Sequence, residues 1–388
     1  MKLALVTFLI AGSLTFQTTA QRELPFSDQG WTLSGDRTAT VKEGARDVLL
    51  VETGFAHRRD VSLEDGTLEF DVQLTTRRSF VYVYFRAAAD GEREEFYLRP
   101  HKSGLPDAVQ YAPVWQGRSA WQLHHGPGGT AAVVFEPGVW TRVRVILQGR
   151  HAALFVKDMT TPVLLVSHTA REPRPGHIAV GGFLPAGGPG DGPIAKFTNV
   201  VIRPGEVPFD FKAALARLAG SPGARPAAAP DDGIVRAWSV SRSFVPSAAD
   251  VPTLPGPDIA REFQRLETEA SGLLELHRHV RVPEARGPAA AVARIRVRAA
   301  QAGTYTFDLG FSDIATVFVN GRPLFRGDQS YSFDRPRREG LIGFDQARLY
   351  LPLTAGDNDV SVLVSDSFGG WGLMGRFVNA SGLSIEAP

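Results

Sequence analysis

The chain has 388 residues and no cysteine, and its 42 Lys and Arg nearly balance 41 Asp and Glu. Near-neutrality excludes the strong basic excess that nucleic acid or an anionic membrane surface would favour, and the lack of cysteine excludes stabilisation by disulfides. The 40 Gly and 27 Pro punctuate short runs rich in Val, Phe, Tyr and Thr, a pattern that predicts an all-β protein with many turns.

Residues 1–20 read as a secretory leader. Lys2 supplies the positive start, residues 3–16 an apolar stretch, and Thr18-Thr19-Ala20 a small-residue cleavage site before Gln21. The expectation is a secreted or periplasmic protein with no membrane span, because no later segment approaches eighteen uninterrupted apolar residues. Loss of Lys2 with the leader leaves 41 basic residues against 41 acidic ones.

Residues 24–204 read as successive strands at 38–41, 48–52, 67–74, 80–87, 94–101, 131–135, 141–147, 152–157, 163–167, 178–183 and 197–202. Turn signals such as Glu64-Asp65-Gly66, Asp90-Gly91 and Gln148-Gly149 separate them. So many strands predict two sheets packed face to face, a sandwich of jelly-roll type.

Within this half, 80–122 is the richest stretch. A strand shows alternate residues on one face, so Val81, Val83, Phe85, Phe96 and Leu98 are expected in a core. Tyr82, Tyr84, Arg86, Glu95, Tyr97, Arg99 and His101 then share the opposite face. Asp107, Gln110, Tyr111, Trp115, Trp121 and Gln122 follow closely. Sugars offer apolar ring faces edged with hydroxyls and are held by aromatic stacking plus polar side chains. The expected ligand site is therefore Tyr82, Tyr84, Arg86, Tyr97, Arg99, His101, Asp107, Gln110, Trp115 and Gln122.

After Pro204 the texture changes. Residues 209–218 have brief helical character, and the run from Gly220 to Pro230 is too small and proline-rich to pack, so 205–232 reads as a linker. A second β-sandwich is expected over 233–386, with strands at 273–282, 293–298, 303–309, 316–319, 348–353 and 359–364. Its clearest signal is Asn320-Gly321 between apolar runs, a tight hairpin turn. Trp371, set among glycines in Ser367-Phe368-Gly369-Gly370-Trp371-Gly372, is expected to close the core of this sandwich.

Two resemblances accompany these readings. Glu64-Asp65-Gly66-Thr67-Leu68-Glu69-Phe70-Asp71 followed by Val81-Tyr82-Val83-Tyr84-Phe85-Arg86, and later Trp140-Thr141-Arg142-Val143-Arg144-Val145, resembles the concanavalin A-like or laminin-G-like superfamily, including 3-keto-disaccharide hydrolase-like domains. This likeness covers about half of the chain. Thr304-Tyr305-Thr306-Phe307 leading to Val317-Phe318-Val319-Asn320-Gly321 resembles the galactose-binding-like sandwich that accompanies many glycosidases. Together they imply a carbohydrate-binding protein, with a glycoside hydrolase or a laminin-G-like adhesion module as alternatives.

Family-16 glycosidases place their acids in a Glu-x-Asp-x-x-Glu pattern. Glu69-Phe70-Asp71 begins it, but Leu74 stands where the last acid should be. If the chain is an enzyme, Glu95 and Asp107 are the acid or base candidates, one carboxylate needing a second across the same face. No catalytic residue is otherwise expected. The adjacent His124-His125 would point opposite ways on a strand, and His277 and His279 could share a face. Neither pair has a carboxylate at zinc-motif spacing, so no cofactor or metal is expected, although the resemblance leaves Ca²⁺ open.

Overall fold

The computed structural model describes residues 21–185, 192–219, 233–246, 254, 262–282, 289–332 and 339–388. The expected leader and the expected linker run from Gly220 onward lie outside the described residues. The regular secondary structure of the described chain is all strand, apart from a helix over Phe211–Ala219 and two short 3₁₀ turns. No helix among the described residues is long and apolar enough to cross a membrane.

The strands from Arg22 to Pro204 form one 14-stranded antiparallel sheet that curls over itself. One end of it carries Gly66–Leu74, Trp140–Gln148 and His151–Val156; the other carries Phe80–Ala87, Arg93–Leu98 and Val109–Trp115. The long strands Arg46–Arg58 and Ala195–Pro204 join the two ends. Alternate residues from both ends meet in one core, Leu68, Phe70, Val143 and Leu154 from one side and Val81, Val83, Phe96 and Tyr111 from the other. This is the expected sandwich, made by a sheet burying one face against itself. The helix that follows inserts Phe211 among Ile146, Ala153, Phe155 and Leu165 on the outer surface.

A 7-stranded and a 4-stranded sheet build the second sandwich. Ile295, Val317 and Val362 from the first pack against Phe307, Leu351, Leu373 and Phe377 from the second, with Trp238 and Trp371 fully buried between them. The Trp371 indole N–H donates to the Val364 carbonyl at 3.1 Å, which satisfies its one donor. The hairpin falls at Asn320-Gly321, both with positive φ, 50° and 77°, between paired Val319 and Arg322.

Several expected strands end early. The strand predicted over 94–101 stops at Leu98, and Pro100–Lys102 forms a 3₁₀ turn, because Pro100 lacks the N–H a ladder requires. The strand predicted over 273–282 shortens to Leu274–Glu275 followed by the 3₁₀ turn Leu276–Arg278. Of the strand predicted over 131–135, only Ala131 pairs, as the end of the two-residue strand Thr130–Ala131. Glu69 and Asp71 serve the fold. Glu69 accepts from Arg142 and from Arg144 Nε at 2.6 Å and lies 3.2 Å from Arg203; although burial opposes it, the Arg142 and Arg144 guanidinium groups hold its carboxyl below the ordinary range.

The two sandwiches meet along one contact. Trp115, Ala120 and Leu123 pack with Leu273, Ile342 and Met374. Gln116 Nε2 donates to the carbonyls of His277 and Val280, both at 2.9 Å, and Arg118 pairs with Asp366.

Candidate functional site

Five neighbouring strands present one face away from the core. Alternation in Arg46–Arg58 places Phe55 and His57 there while Ala56 enters the core; in His177–Phe183 it places His177, Ala179, Gly181 and Phe183. Phe80, Tyr82 and Tyr84 follow on Phe80–Ala87, then Glu95 and Tyr97 on Arg93–Leu98, and Gln110 on Val109–Trp115. Registers Gly181↔Phe55, Gly181↔Tyr82 and Tyr82↔Tyr97 set these residues side by side.

The rings form a continuous surface. Phe55 stacks on Tyr84 at 4.7 Å and lies 6.0 Å from Tyr82. Phe80 and Phe183 are 5.0 Å apart and within 9° of parallel, and Tyr82 and Phe183 are 6.2 Å apart and within 18°. Gly181 makes this possible. A Cβ at that position would come 2.5 Å from Phe55 Cδ1, so only a residue without a side chain lets the ring lie over the strand. Phe55, Phe80 and Tyr82 are half-buried and Phe183 is 36% exposed, so the platform is open to solvent.

Behind it lies a layer of polar side chains bonded to one another. Arg99 donates to Tyr97 Oη at 2.7 Å, Tyr97 Oη donates to Gln110 Oε1 at 2.5 Å, and Arg99 also reaches Gln110 and Asp107. Lys102 joins Asp107 and extends to Glu339 of the second sandwich at 2.9 Å. Glu95 accepts from Arg93 at 3.1 Å and Ser119 at 2.8 Å. Arg93 lies 4.0 Å over the Tyr84 ring and Arg99 4.8 Å over Tyr97, cation–π contacts that also hold the rings. Burial raises the Glu95 carboxyl and the Tyr84 and Tyr97 phenols, so the phenols stay protonated. Tyr84, Glu95, Tyr97, Arg99 and Gln110 are buried and stand beneath or beside the exposed rings rather than on top of them.

His101 joins the face from its 3₁₀ turn, edge-on to Phe80 at 5.4 Å. Three expected site residues do not join it. Arg86 adopts a positive φ of 49° at a shift in strand register, which turns its side chain to the opposite side of the sheet. There it donates to the Glu64 carbonyl at 2.8 Å and the Gly149 carbonyl at 2.6 Å and pairs with Glu94 at 3.1 Å. Trp115 faces the second sandwich, with Arg171 4.2 Å over its ring. Gln122 is fully buried at the same junction, donating to the Glu339 carbonyl at 3.0 Å and accepting from Ser312 at 3.2 Å. Phe55, His57, His177 and Phe183 were missed, and their only sequence signal was alternation on the strands that carry them.

Burial, reinforced by the charges of Arg59 and His177, brings His57 down to about 4, and burial with Arg78 nearby does the same to His101. Between about 4 and the ordinary value near 6.5, the unfolded chain binds protons on these rings that the folded chain refuses. These histidines therefore contribute full stability above pH 6.5 and lose it as pH falls through that window. Urea midpoints measured from pH 6.5 to 5 are expected to decline, and a His57→Gln/His101→Gln variant to decline less steeply; an equal slope in both proteins would refute the assignment.

Fold and face define an all-β protein of two antiparallel sandwiches, the first bearing a half-open aromatic surface. No protein-family model matches the chain, and no curated protein matches it. Solved structures similar to part of it include the carbohydrate-binding module CBM66 from Bacillus subtilis, 16% identical over 44% of this chain and 93% of that one, with a TM-score of 0.33. A β-glucanase from Bacillus licheniformis is 14% identical over 48% and 99%, with a TM-score of 0.37. A family 35 carbohydrate-binding module from an environmental isolate is 23% identical over 25% and 72%, with a TM-score of 0.19. Likeness at this level carries no argument about site or activity.

Proposed function

We propose that the chain is an exported carbohydrate-binding protein that holds a glycan, without cleaving it, on the aromatic face of the first sandwich. One observation carries this reading: the near-parallel, solvent-open rings of Phe80, Tyr82 and Phe183 lie beside Phe55 and are edged by His57, His101 and His177. Apolar sugar faces stack on such rings while hydroxyls meet polar groups at the rim. Tyr97, Arg99, Asp107 and Gln110 brace the platform through their mutual bonds, and Arg93 holds the Tyr84 ring.

The test is a titration of the chain against a panel of soluble oligosaccharides, with released product scored in parallel. For a glycan that binds, Tyr82→Ala and Phe183→Ala are each expected to weaken affinity by about tenfold, roughly 1.4 kcal/mol for a lost stacking surface, while Tyr82→Phe retains most of it. Unchanged affinity in both alanine variants would remove the site from this face. Product release would favour hydrolysis instead, for which the burial-raised Glu95 carboxyl is the one supporting observation.

A further inference from the structure

A cleft of about 1360 Å³ lies away from the aromatic face, between the sandwiches. His124 and Arg150 reach it from the first sandwich, and Glu269, Glu275 and Arg278 from the second. His124 is held by its backbone and its ring. Gln110 Nε2 donates to the carbonyls of Trp121 at 2.6 Å and His124 at 2.7 Å, and Tyr111 meets the imidazole edge-on at 6.0 Å. Glu275 ends the strand Leu274–Glu275, which is fixed by its pairing with Gly372–Phe377. Glu269 is brought beside it by a tight turn, in which Glu269 N–H bonds to the Leu273 carbonyl and Gly272 N–H to the Glu269 carbonyl, both at 2.8 Å.

One donor atom from each of His124, Glu269 and Glu275 lies within 4.8 Å of the other two. The His124 Nε2 to Glu275 Oε2 distance is 3.3 Å. A second observation points to a missing ligand. The Glu275 side chain is 1% exposed, yet its Oε1 has no hydrogen-bond partner among the described residues, and a buried carboxylate oxygen is costly to leave unmet.

We infer that His124, Glu269 and Glu275 form a divalent-cation site that joins the two sandwiches. One imidazole nitrogen and two carboxylates suit a borderline first-row ion such as Zn²⁺ better than Ca²⁺ or Mg²⁺, which take oxygen donors. Two carboxylates offset the charge of the ion, and Glu275 Oε1 gains its partner. Three protein donors leave positions for water or a ligand on the cleft side. This inference stands apart from the glycan reading, since none of the three residues lies on the aromatic face.

The experiment is calorimetric titration of the chelator-stripped full chain with Zn²⁺ alone and, separately, with Ca²⁺, together with thermal melts. The expected result is one equivalent of Zn²⁺ bound, at least tenfold tighter than Ca²⁺, with a Tm raised by a few degrees because the ion binds only the folded chain. Glu275→Gln and His124→Gln should each weaken Zn²⁺ by tenfold or more and abolish the Tm shift. Should Glu275→Gln fail to fold, Glu269→Gln, altered at the half-buried cleft wall, replaces it with the same expectation. No stoichiometric binding to the unaltered chain would overturn the inference, as would undiminished binding in the variants, which would put the ion on other histidines.

Discussion

Replacing Glu94 by alanine is expected to destabilise the chain by about 3–5 kcal/mol, the usual cost of removing one partner from a buried ion pair. Arg86 and Glu94 are 1% and 0% exposed. Glu94 accepts from Arg86 at 3.1 Å through one oxygen and from Tyr111 Oη at 2.6 Å through the other. Its loss takes from Arg86 its fully buried counter-charge, leaving the half-exposed Asp65 at 3.2 Å, and leaves a phenol with one acceptor fewer inside the sandwich. The Tyr111 oxygen also accepts from Ala170 N–H at 2.8 Å, so the disturbance reaches the segment beside the second sandwich. Glu94→Gln, which keeps one acceptor oxygen for Arg86 and offers an N–H to the Tyr111 hydroxyl oxygen in place of the other, should lose less. The paired change Arg86→Met/Glu94→Leu should recover much of the loss, because a buried pair contributes little net stability over well-packed apolar groups. Denaturant midpoints for the four proteins decide it; a Glu94→Ala midpoint equal to the parent's would show that Arg86 finds sufficient partners in the Glu64 and Gly149 carbonyls.

Asp366→Ala is expected to uncouple the two sandwiches. Asp366 is 1% exposed on the last turn of strand Gly356–Asp366 and receives Arg118 from the first sandwich and His277 Nε2 at 3.0 Å from the second. Removing this anion takes a shared buried partner from both side chains, again about 3–5 kcal/mol, and here the loss falls on a contact between sandwiches. Calorimetry should then resolve two unfolding transitions where the parent shows one, and scattering should report a larger radius of gyration. A single transition at the parental Tm would mean that the apolar contact of Trp115 and Leu123 with Leu273, Ile342 and Met374 holds the junction unaided.

Much of the aromatic face was legible because period-2 alternation is local. Val81, Val83 and Phe85, with Phe96 and Leu98, are in the core, and Tyr82, Tyr84, Glu95 and Tyr97 are on the other side. Arg86 escaped because a single residue with positive φ reverses the alternation without any mark in composition. Trp115 and Gln122 escaped for a different reason. They sit in an aromatic and polar loop like many ligand sites, and the second sandwich occupies them.

His124 shows the same limit from the other side. Its neighbours in sequence supply no carboxylate at a metal-binding interval, and the two that approach it arrive from residues 269 and 275 across the junction. Phe55 and Phe183 likewise join Tyr82 only because their strands flank the strand His177–Phe183 or form part of it in the curled sheet.

Taken alone, the sequence determined what short-range physics controls: strand after strand from apolar alternation, the hairpin at Asn320-Gly321 from backbone permissiveness, and two separate cores from the break after Pro204. Tertiary structure decided which faces stay open, which charges find partners and which residues from distant strands share a site. Those outcomes depend on sheet order and on the docking of one sandwich against the other, and both arise from non-local burial that no window of sequence contains.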